Sequence, residues 1–252
     1  LPSGAGVCLG KFDALHLGHQ ALAAAARDLG FQPWLISFSG MAEVLGWPQR
    51  LPLMAPEHRA DILKSVGAEE RVLPFAEVHR LAPEEFVDLL VDQLGVSAVV
   101  CGADFRFGFR ARGDAGTLER LVSARGLATR VVPLRASSIK DRKFSSTLVR
   151  ELLGKGEMEQ VAAALGRPYR SLWRRSAPVP GGVRLQEPGN AVPAPGKYSV
   201  SVMAGGHRAV SATADISKDG ATVQMLSSSG VEASADAATT DLVFDHGELG
   251  KE

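Results

Sequence analysis

Short apolar runs alternate with helical segments of about ten to fourteen residues over positions 6–165, and this alternation restricts the fold of the chain most strongly. Strands that alternate with helices of this length indicate βαβ units and therefore an α/β fold with a mostly parallel sheet. The predicted strands are GVCLG (6–10), QPWLISFSG (32–40), ERVLPF (70–75), VSAVVCG (96–102) and LATRVVPL (127–134). The predicted helices are 18–29, 56–66, 82–95, 114–126, 146–154 and 157–165.

The pattern changes after about Gly166, where helical periodicity ends. Proline and glycine are frequent over 178–196, and the runs KYSVSVMAG and HRAVSATADI that follow alternate apolar with polar residues. This change in composition and residue pattern predicts a first domain over 1–166, a Pro/Gly-rich connection over 167–195 and a small β module over 196–252. The weakly hydrophobic stretch 227–241 is predicted to be partly disordered.

The charge balance and the cysteines restrict the possible partners. Lysine and arginine together number 28, as do aspartate and glutamate, so the sequence predicts no nucleic-acid partner. Cys8 and Cys101 each end an apolar run and are predicted to be small buried hydrophobic residues, not a disulfide or a metal site. No apolar run has the length of a transmembrane helix, so no membrane association is predicted. The chain begins at Leu1 and not at methionine, and the sequence leaves open whether an N-terminal targeting extension has been removed.

The four residues HLGH (16–19) stand where the first strand gives way to the first helix. A helix N-terminus presents free amide N–H groups and a partial positive charge, which suit a phosphate. Gly18 allows the backbone to approach such a ligand, and His16 and His19 are spaced so that both imidazoles face it. Two alternatives stay open. One is a pair of surface histidines at a helix start, and the other is a zinc site, for which the sequence offers no further ligands.

A second stretch, KFSSTLVREL, combines hydroxyls and a guanidinium at the start of another helix. Ser145, Ser146 and Thr147 offer hydroxyls and amides, and Arg150 adds a planar fork of donors one turn later. This combination predicts a second phosphate-binding clamp. The alternative for Ser146 alone is that it is simply the N-cap of its helix.

Together, G-x-F-D-x-x-H-x-G-H and S-S-T-x-x-R resemble the nucleotidylyltransferase superfamily, which implies a Rossmann-like domain that binds a nucleoside triphosphate. The resemblance implies that His16, His19 and Arg150 are catalytic and that Mg²⁺ accompanies ATP, with metal ligands that remain unidentified. It assigns ATP binding to Gly10, Lys11, Phe12, Asp13, His16, Gly18, His19, Ser145, Ser146, Thr147 and Arg150.

The stretch GADFRFGFRARGD resembles the flavin-side motif of prokaryotic-type FAD synthetases, and LGRPY (165–169) resembles the junction between their two modules. This resemblance covers residues 6–169 and implies that FMN is the substrate and FAD the product. It assigns flavin binding to Asp104, Phe105, Phe107 and Gly108. For Phe105 and Phe107 a role in the core is an equal alternative. The bacterial enzymes usually have a Pro-His segment after the second strand, whereas SFSGMAEVLGW (37–47) and GKFDALH resemble the plastid enzymes of plants and algae, which implies a chloroplast location.

The C-terminal part resembles a riboflavin kinase module that has lost its active site. The segment APGKYSVSV (194–202) is similar to a strand of that β-barrel, but the usual G-[FY]-P-T-A-N segment is absent. Glu232 and Glu248 are candidates for the kinase base by residue type only. We therefore expect a degenerate, inactive β-barrel-like module after an FMN adenylyltransferase domain that acts on the small molecules ATP and FMN, in an oligomeric state that the sequence leaves open. The alternatives are a bifunctional riboflavin kinase/FAD synthetase, a transferase for another acceptor and a flavin-binding regulatory protein without turnover.

Overall fold

The computed structural model describes residues 1–133, 139, 142–203, 210–226 and 238–248. The chain divides into two compact units, one of Leu1–Gln49 with Ala60–Ala136 and one of Arg50–Arg59 with Ser137–Glu252. Within the described ranges, no helix combines the length and the apolar character that crossing a bilayer requires. Most of the stretch predicted to be partly disordered, residues 227–237, lies outside the described residues.

The first unit contains a parallel sheet of five strands in the order β3-β2-β1-β4-β7 and a short antiparallel pair, β5-β6. In chain order its strands are β1 (Ala5–Leu9), β2 (Gln32–Ser39), β3 (Glu69–Pro74), β4 (Ala98–Gly102), β5 (Arg106–Phe107), β6 (Gly113–Asp114) and β7 (Ala128–Val132). Every residue of β1 is buried, as expected for a central parallel strand that is covered on both faces. The predicted α/β class is confirmed.

The helices of this part of the chain are α1 (Leu17–Asp28), α2 (Met41–Leu45), α3 (Pro56–Val66), α4 (Phe75–Val78), α5 (Pro83–Asp88) and α6 (Ala115–Ser123). The helix predicted over 82–95 is interrupted, because α5 continues as a π-helical turn over Leu89–Gln93. In this turn the amide of Leu94 donates to the carbonyl of Leu89 at 3.0 Å, and Leu90 is fully buried. The wider turn lets this apolar segment stay packed in the core.

The second unit contains α7 (Ser146–Leu153), α8 (Met158–Leu165) and a closed antiparallel barrel in the strand order β10-β11-β12-β9-β8-β13. The barrel strands are β8 (Arg170–Val179), β9 (Gly182–Pro188), β10 (Gly196–Met203), β11 (Val210–Ser217), β12 (Gly220–Met225) and β13 (Thr239–Glu248). The barrel-like module expected from the sequence is thus present. Glu232 and the side chain of Glu248, the two candidates for a kinase base, lie outside what the structure describes.

The connection predicted over 167–195 is wrong, because this range contains the barrel strands β8 and β9. Pro180 and Gly181 form the turn between these strands, while Pro178, Gly182 and Pro188 lie within them. Gly181, with φ of +72°, lies in the tight turn between the two strands, and Val183 and Leu185 point into the barrel with the alternation of a strand. The first predicted domain is also too long, since α7 and α8 belong to the second unit.

Asn190, the single asparagine of the chain, is fully buried and organises the start of the barrel. Its Oδ1 accepts from the amide of Leu172 at 2.9 Å, while its Nδ2 donates to the hydroxyl of Tyr169 at 3.0 Å and to the carbonyl of Leu53 at 3.3 Å. A buried amide that satisfies several partners holds one arrangement of the chain. Asn190 therefore joins residues 50–59 to the barrel, although they precede α7 by almost ninety positions.

A buried ionic cluster makes a second connection of this kind. His58 is 2% exposed, and its Nε2 donates to Asp241 Oδ1 at 2.6 Å, while Arg170 donates to Asp241 Oδ2. Burial by itself raises the pKa of Asp241, but the hydrogen bonds from His58 and Arg170 outweigh that effect and hold the pKa below its usual range. The carboxylate of Asp241 is therefore ionised in the folded protein and accepts a hydrogen bond at each of its two oxygens.

Replacing this carboxylate by an amide tests the cluster. We expect Asp241→Asn to lower the free energy of unfolding by about 2 kcal/mol at pH 7, because the hydrogen bonds to a charged acceptor are lost. Since the folded-state pKa of Asp241 lies below the unfolded value of about 3.9, its contribution is present above that pH. It is lost as the pH falls through the folded-state pKa, so the two proteins converge in acid.

Urea unfolding followed by the fluorescence of the buried Trp173 measures the difference. The matched control is Arg174→Gln, which removes the ion pair with Glu187 from the surface of the same barrel and leaves the midpoint unchanged. Equal stability of Asp241→Asn and the unaltered protein at pH 7 would contradict the prediction.

Candidate functional site

The site predicted from HLGH lies at the topological switch point of the parallel sheet. β1 pairs with β2 on one side and with β4 on the other, and the chain visits the β2 side first. The carboxyl ends of β1 and β4 therefore flank the crevice where open α/β sheets bind their ligands. The loop that carries HLGH follows β1, and the loop that carries Asp104 and Phe105 follows β4.

His16 and His19 form a stacked pair at the first turn of α1. Their ring centroids are 3.7 Å apart and their planes are inclined by only 18°. His16 is 5% exposed and is the N-cap residue, since its Nδ1 accepts from the amide of His19 at 3.3 Å. A neutral imidazole that accepts at Nδ1 carries its proton on Nε2. The cap therefore leaves Nε2 of His16 as the hydrogen-bond donor of that ring.

Phe12 supports this pair from within the core. Its side chain is fully buried and contacts the ring of His19 edge to face, with centroids 4.9 Å apart. A Cβ at Gly10 would lie 3.1 Å from the Phe12 ring, which leaves little room for a side chain there. The side chain of Phe12, a residue that the resemblance assigns to ATP binding, contacts His19 from the core.

The backbone of this loop is strained at two positions that are not glycine. Phe12 has φ of +27° and Leu15 has φ of +46°. The side-chain amide of Gln20 donates to the carbonyl of Leu15 at 3.0 Å and helps to hold that conformation. Strain of this kind is concentrated at binding and catalytic sites. Gly18 lies within α1 in helical conformation, so its small size and not its conformational freedom distinguishes it.

Lys11, the next residue after Gly10, contacts Trp47, to which the sequence motifs assign no role in the site. Its Nζ lies 4.5 Å from the centroid of the Trp47 ring, and Trp47 is 48% exposed. Desolvation lowers the pKa of Lys11 from its usual value. The sequence signal that identifies Trp47 is its place at the end of GMAEVLGW, the segment that distinguishes this chain from the bacterial pattern.

The two phenylalanines predicted at the flavin side have different environments. Phe107 is 6% exposed and belongs to the core, where its ring contacts Phe86 at 5.4 Å between centroids. Phe105 is half-buried and stacks on Phe107, with centroids 5.8 Å apart and planes inclined by 12°. The core role offered as an alternative therefore applies fully to Phe107 and in part to Phe105, which packs against the same core cluster and keeps a surface that a ligand can contact.

Asp104 and Gly108 bracket the aromatic pair. Asp104 is exposed, beside the end of β4. Gly108 has φ of +73°, and a Cβ at this position would lie 3.0 Å from the ring of Pro83, so both conformation and space require glycine. The amide of Phe109 then donates to the carbonyl of Leu81 at 2.7 Å and fixes the path of the loop.

The second predicted clamp lies on α7, in the second unit. Ser145 is the N-cap residue of α7, because its extended backbone lets Oγ accept from the amide of Leu148 at 3.1 Å. The alternative that Ser146 is the cap is therefore wrong, since Ser146 is already the first helical residue. Thr147 is exposed and Arg150 is half-buried one turn later.

Glu151, the residue after Arg150, forms ion pairs with two other cations. Arg142 and Lys155 both donate to Glu151, and these hydrogen bonds lower the pKa of Glu151 to about 2. Glu151 thus remains an anion whose charge is offset by Arg142 and Lys155.

Comparisons with known proteins agree on one family. The family model described as FAD synthetase matches residues 1–148. The chain is 41% identical over 191 residues to FAD synthetase 2, chloroplastic, from Arabidopsis thaliana, which is 68% of this chain and 52% of that protein. It is 40% identical over 189 residues to FAD synthetase 1, chloroplastic, from the same plant, which is 67% of this chain and 53% of that protein.

A bacterial relative extends further along the chain. A bifunctional riboflavin kinase/FMN adenylyltransferase from Pseudomonas fluorescens is 30% identical over 211 residues, which is 77% of this chain and 67% of that protein. The chain spans about half the length of the two Arabidopsis relatives. A crystal structure of a macrolide-efflux protein from Streptococcus pneumoniae has a TM-score of 0.84 at 22% identity, over 97% of this chain and 85% of that one, and is similar in fold alone.

Proposed function

The chain belongs to the FAD synthetase family, and on this premise we propose that it transfers AMP from ATP to FMN, giving FAD and pyrophosphate. The family resemblance seen in its motifs is confirmed by the match over residues 1–148. The observation that carries the proposed activity is the stacked pair of His16 and His19 at the switch point of the sheet. In this pair His16 is the N-cap of α1, and Phe12 packs against His19.

The reaction that we propose needs no protein nucleophile. An oxygen of the FMN phosphate attacks the α-phosphorus of ATP and forms a new P–O bond, while the bond from that phosphorus to the bridging oxygen of the β-phosphate breaks. Pyrophosphate leaves with the electron pair. The FMN phosphate is already ionised near neutral pH, so no strong general base is required. Alignment and stabilisation of the developing charge are then the main tasks of the protein.

We assign these tasks to the residues of both motifs. Nε2 of His16 donates to a phosphoryl oxygen, and His19 beside it adds a second imidazole at the positive end of α1. Arg150 offers a planar fork for the outer phosphates. The hydroxyl of Ser145 accepts from its own helix and keeps its O–H as a donor, so we assign the hydroxyls of the clamp to Ser145, Ser146 and Thr147.

Magnesium is part of the proposal through its chemistry with phosphates. Among the described residues, no group of three or more His, Cys, Asp or Glu side chains is arranged to hold a metal ion. We propose that the ion reaches the site on the triphosphate and keeps most of its ligands as phosphate oxygens and water. When bound, Mg²⁺ offsets part of the triphosphate charge.

The closed barrel favours one alternative, a bifunctional enzyme that also phosphorylates riboflavin. We propose that this barrel lacks kinase activity. The G-[FY]-P-T-A-N segment is missing from the sequence, and the single asparagine, Asn190, is buried in hydrogen bonds that join residues 50–59 to the barrel. We also propose a plastid location, in line with the chloroplastic relatives, which detection of the protein in isolated chloroplasts and not in the other cell fractions tests.

One incubation tests the proposed activity. The purified protein is mixed with ATP and Mg²⁺, divided between FMN and riboflavin, and the flavins are separated by chromatography. We expect FAD from FMN and no new flavin from riboflavin. FMN or FAD formed from riboflavin would support the bifunctional alternative, and no product from either flavin would favour a flavin-binding protein without turnover.

Two matched substitutions by leucine test the flavin side. We expect Phe105→Leu to raise KM for FMN about fivefold, because a stacking face is lost, and to lower the free energy of unfolding by less than about 1 kcal/mol, because Phe105 is only partly packed against the core. Phe107→Leu, its matched control, lowers the free energy of unfolding by about 1–2 kcal/mol through poorer core packing and changes KM for FMN less. Steady-state kinetics and urea unfolding on both variants measure these effects. The reverse assignment, with Phe107→Leu alone raising KM, would overturn the flavin contact of Phe105.

A further inference from the structure

Lys11 presents a cation that has no anionic partner in the described part of the chain. Its contact is with the π face of Trp47, and it forms no ion pair with any described carboxylate. Lys11 is exposed to solvent, and partial desolvation lowers its pKa from the usual value. An exposed ammonium that contacts an aromatic ring and no described carboxylate is available to an anion that a ligand brings.

Trp47 is held firmly although its ring is exposed. Its amide donates to the carbonyl of Ala42 at 2.8 Å, and Gly46, with φ of +65°, ends α2 immediately before it. The backbone of this residue is therefore fixed by the end of a helix, while 48% of the side chain remains open to solvent. A large, pinned and exposed indole beside a cation is a feature that ordinary core packing does not require.

The topology brings the two residues to the ligand side of the sheet. β1 and β2 are parallel neighbours, with Leu9 paired to Ile36, so the segments that follow them leave from the same edge. Lys11 follows β1 in the loop that leads to His16 and His19, and Trp47 closes the segment that follows β2. The cation thus belongs to the loop that we propose to hold phosphate.

We propose that Trp47 is a positioning residue that holds the ammonium of Lys11 toward a phosphate group of the substrate. This inference rests on the proposed function. The shared chemistry is a phosphate anion, whose source is either the triphosphate of ATP or the monophosphate of FMN. Lys11 makes the contact with phosphate, and Trp47 acts through Lys11 by keeping its flexible side chain in place.

Kinetic constants of matched variants test the proposal. KM for ATP and KM for FMN are each measured, with the other substrate saturating, for Trp47→Ala, Trp47→Phe, Lys11→Met and the double variant Lys11→Met/Trp47→Ala. We expect Trp47→Ala to raise one KM about three- to fivefold, with kcat within twofold. Lys11→Met raises the same KM about tenfold. The affected KM identifies whether ATP or FMN supplies the phosphate.

The double variant and two controls distinguish a positioning role from a structural one. The double variant matches Lys11→Met alone, because Trp47 has no cation left to position. Trp47→Phe, which keeps a π face, recovers at least half of the loss. Leu45→Ala removes another exposed apolar side chain of the same segment and changes neither KM. Additive effects in the double variant, or an equal loss in Leu45→Ala, would overturn the positioning role.

A binding measurement keeps this inference separate from the proposed reaction. Quenching by acrylamide reports on Trp47, because Trp173 is 1% exposed and Trp34 is only partly exposed. We expect the substrate whose KM rises in the variants, ATP or FMN, to protect the unaltered protein from quenching and to protect Lys11→Met much less. Protection without any FAD formation would keep the phosphate contact and remove the proposed reaction. Absence of protection in a protein that does form FAD would overturn the inference alone.

Discussion

Replacing either imidazole of the stacked pair is expected to lower kcat for FAD formation by about 10²–10³. The variants are His19→Ala and His16→Asn. Asparagine is a good N-cap residue and keeps the hydrogen bond from the amide of His19, so it removes the imidazole without removing the cap. The loss appears in kcat because the donors act on charge that develops as the α-phosphorus is attacked.

A third variant separates the two roles of His16. His16→Ala loses both the imidazole and the cap, so we expect the same fall in kcat together with about 1 kcal/mol less stability. Urea unfolding beside steady-state kinetics measures both quantities. His79→Ala, which removes an imidazole whose Nδ1 donates to the carbonyl of Ala76, is the control and retains full activity. A change of less than threefold in both His19→Ala and His16→Asn would remove the imidazoles from the proposed mechanism.

Arg150 is the second position at which we expect a large loss. Arg150→Ala lowers kcat/KM for ATP by about 10², because a guanidinium that binds phosphate oxygens at two points is removed. Arg150→Lys recovers only part of this, since a point charge does not reproduce the planar fork. The effect is expected in the constants for ATP and not in KM for FMN, if Arg150 contacts the outer phosphates.

The neighbouring ion pairs provide the control for Arg150. Lys155→Gln removes one cation from Glu151 on the same helix, and Arg142 still pairs with that carboxylate. An exposed pair of this type contributes little, so both activity and the unfolding midpoint stay unchanged. Equal kinetics for Arg150→Ala and Lys155→Gln would exclude Arg150 from the phosphate site.

The environments of the predicted site residues show where single-sequence reasoning reaches its limit. The motif around Phe105 and Phe107 left a core role open for both, and the structure buries Phe107 while Phe105 keeps an exposed face. In the same way, the sequence offers Ser146 as a possible N-cap, whereas the extended backbone of Ser145 makes Ser145 the cap. Burial and backbone angles depend on neighbours that a motif does not contain.

The sequence pattern predicts too few strands for the barrel, for a related reason. The frequent proline and glycine residues predict a connection where β8 and β9 lie, yet Pro180 and Gly181 form the hairpin turn while Pro178, Gly182 and Pro188 lie within the strands. Pairing between strands supplies the hydrogen bonds that make such a segment a strand. That pairing is not visible in the composition of the segment itself.

The amino-acid sequence by itself determined the alternation of strands and helices, the position of HLGH after the first strand and the family to which the chain belongs. These are properties of local periodicity and of short motifs, which neighbouring residues are sufficient to specify. Only the tertiary structure decided that His58 pairs with Asp241, 183 positions away, that residues 50–59 belong to the barrel unit and that Trp47 faces Lys11. Each of these contacts joins residues of separate elements, and chain folding brings them together without a periodic signal in either segment.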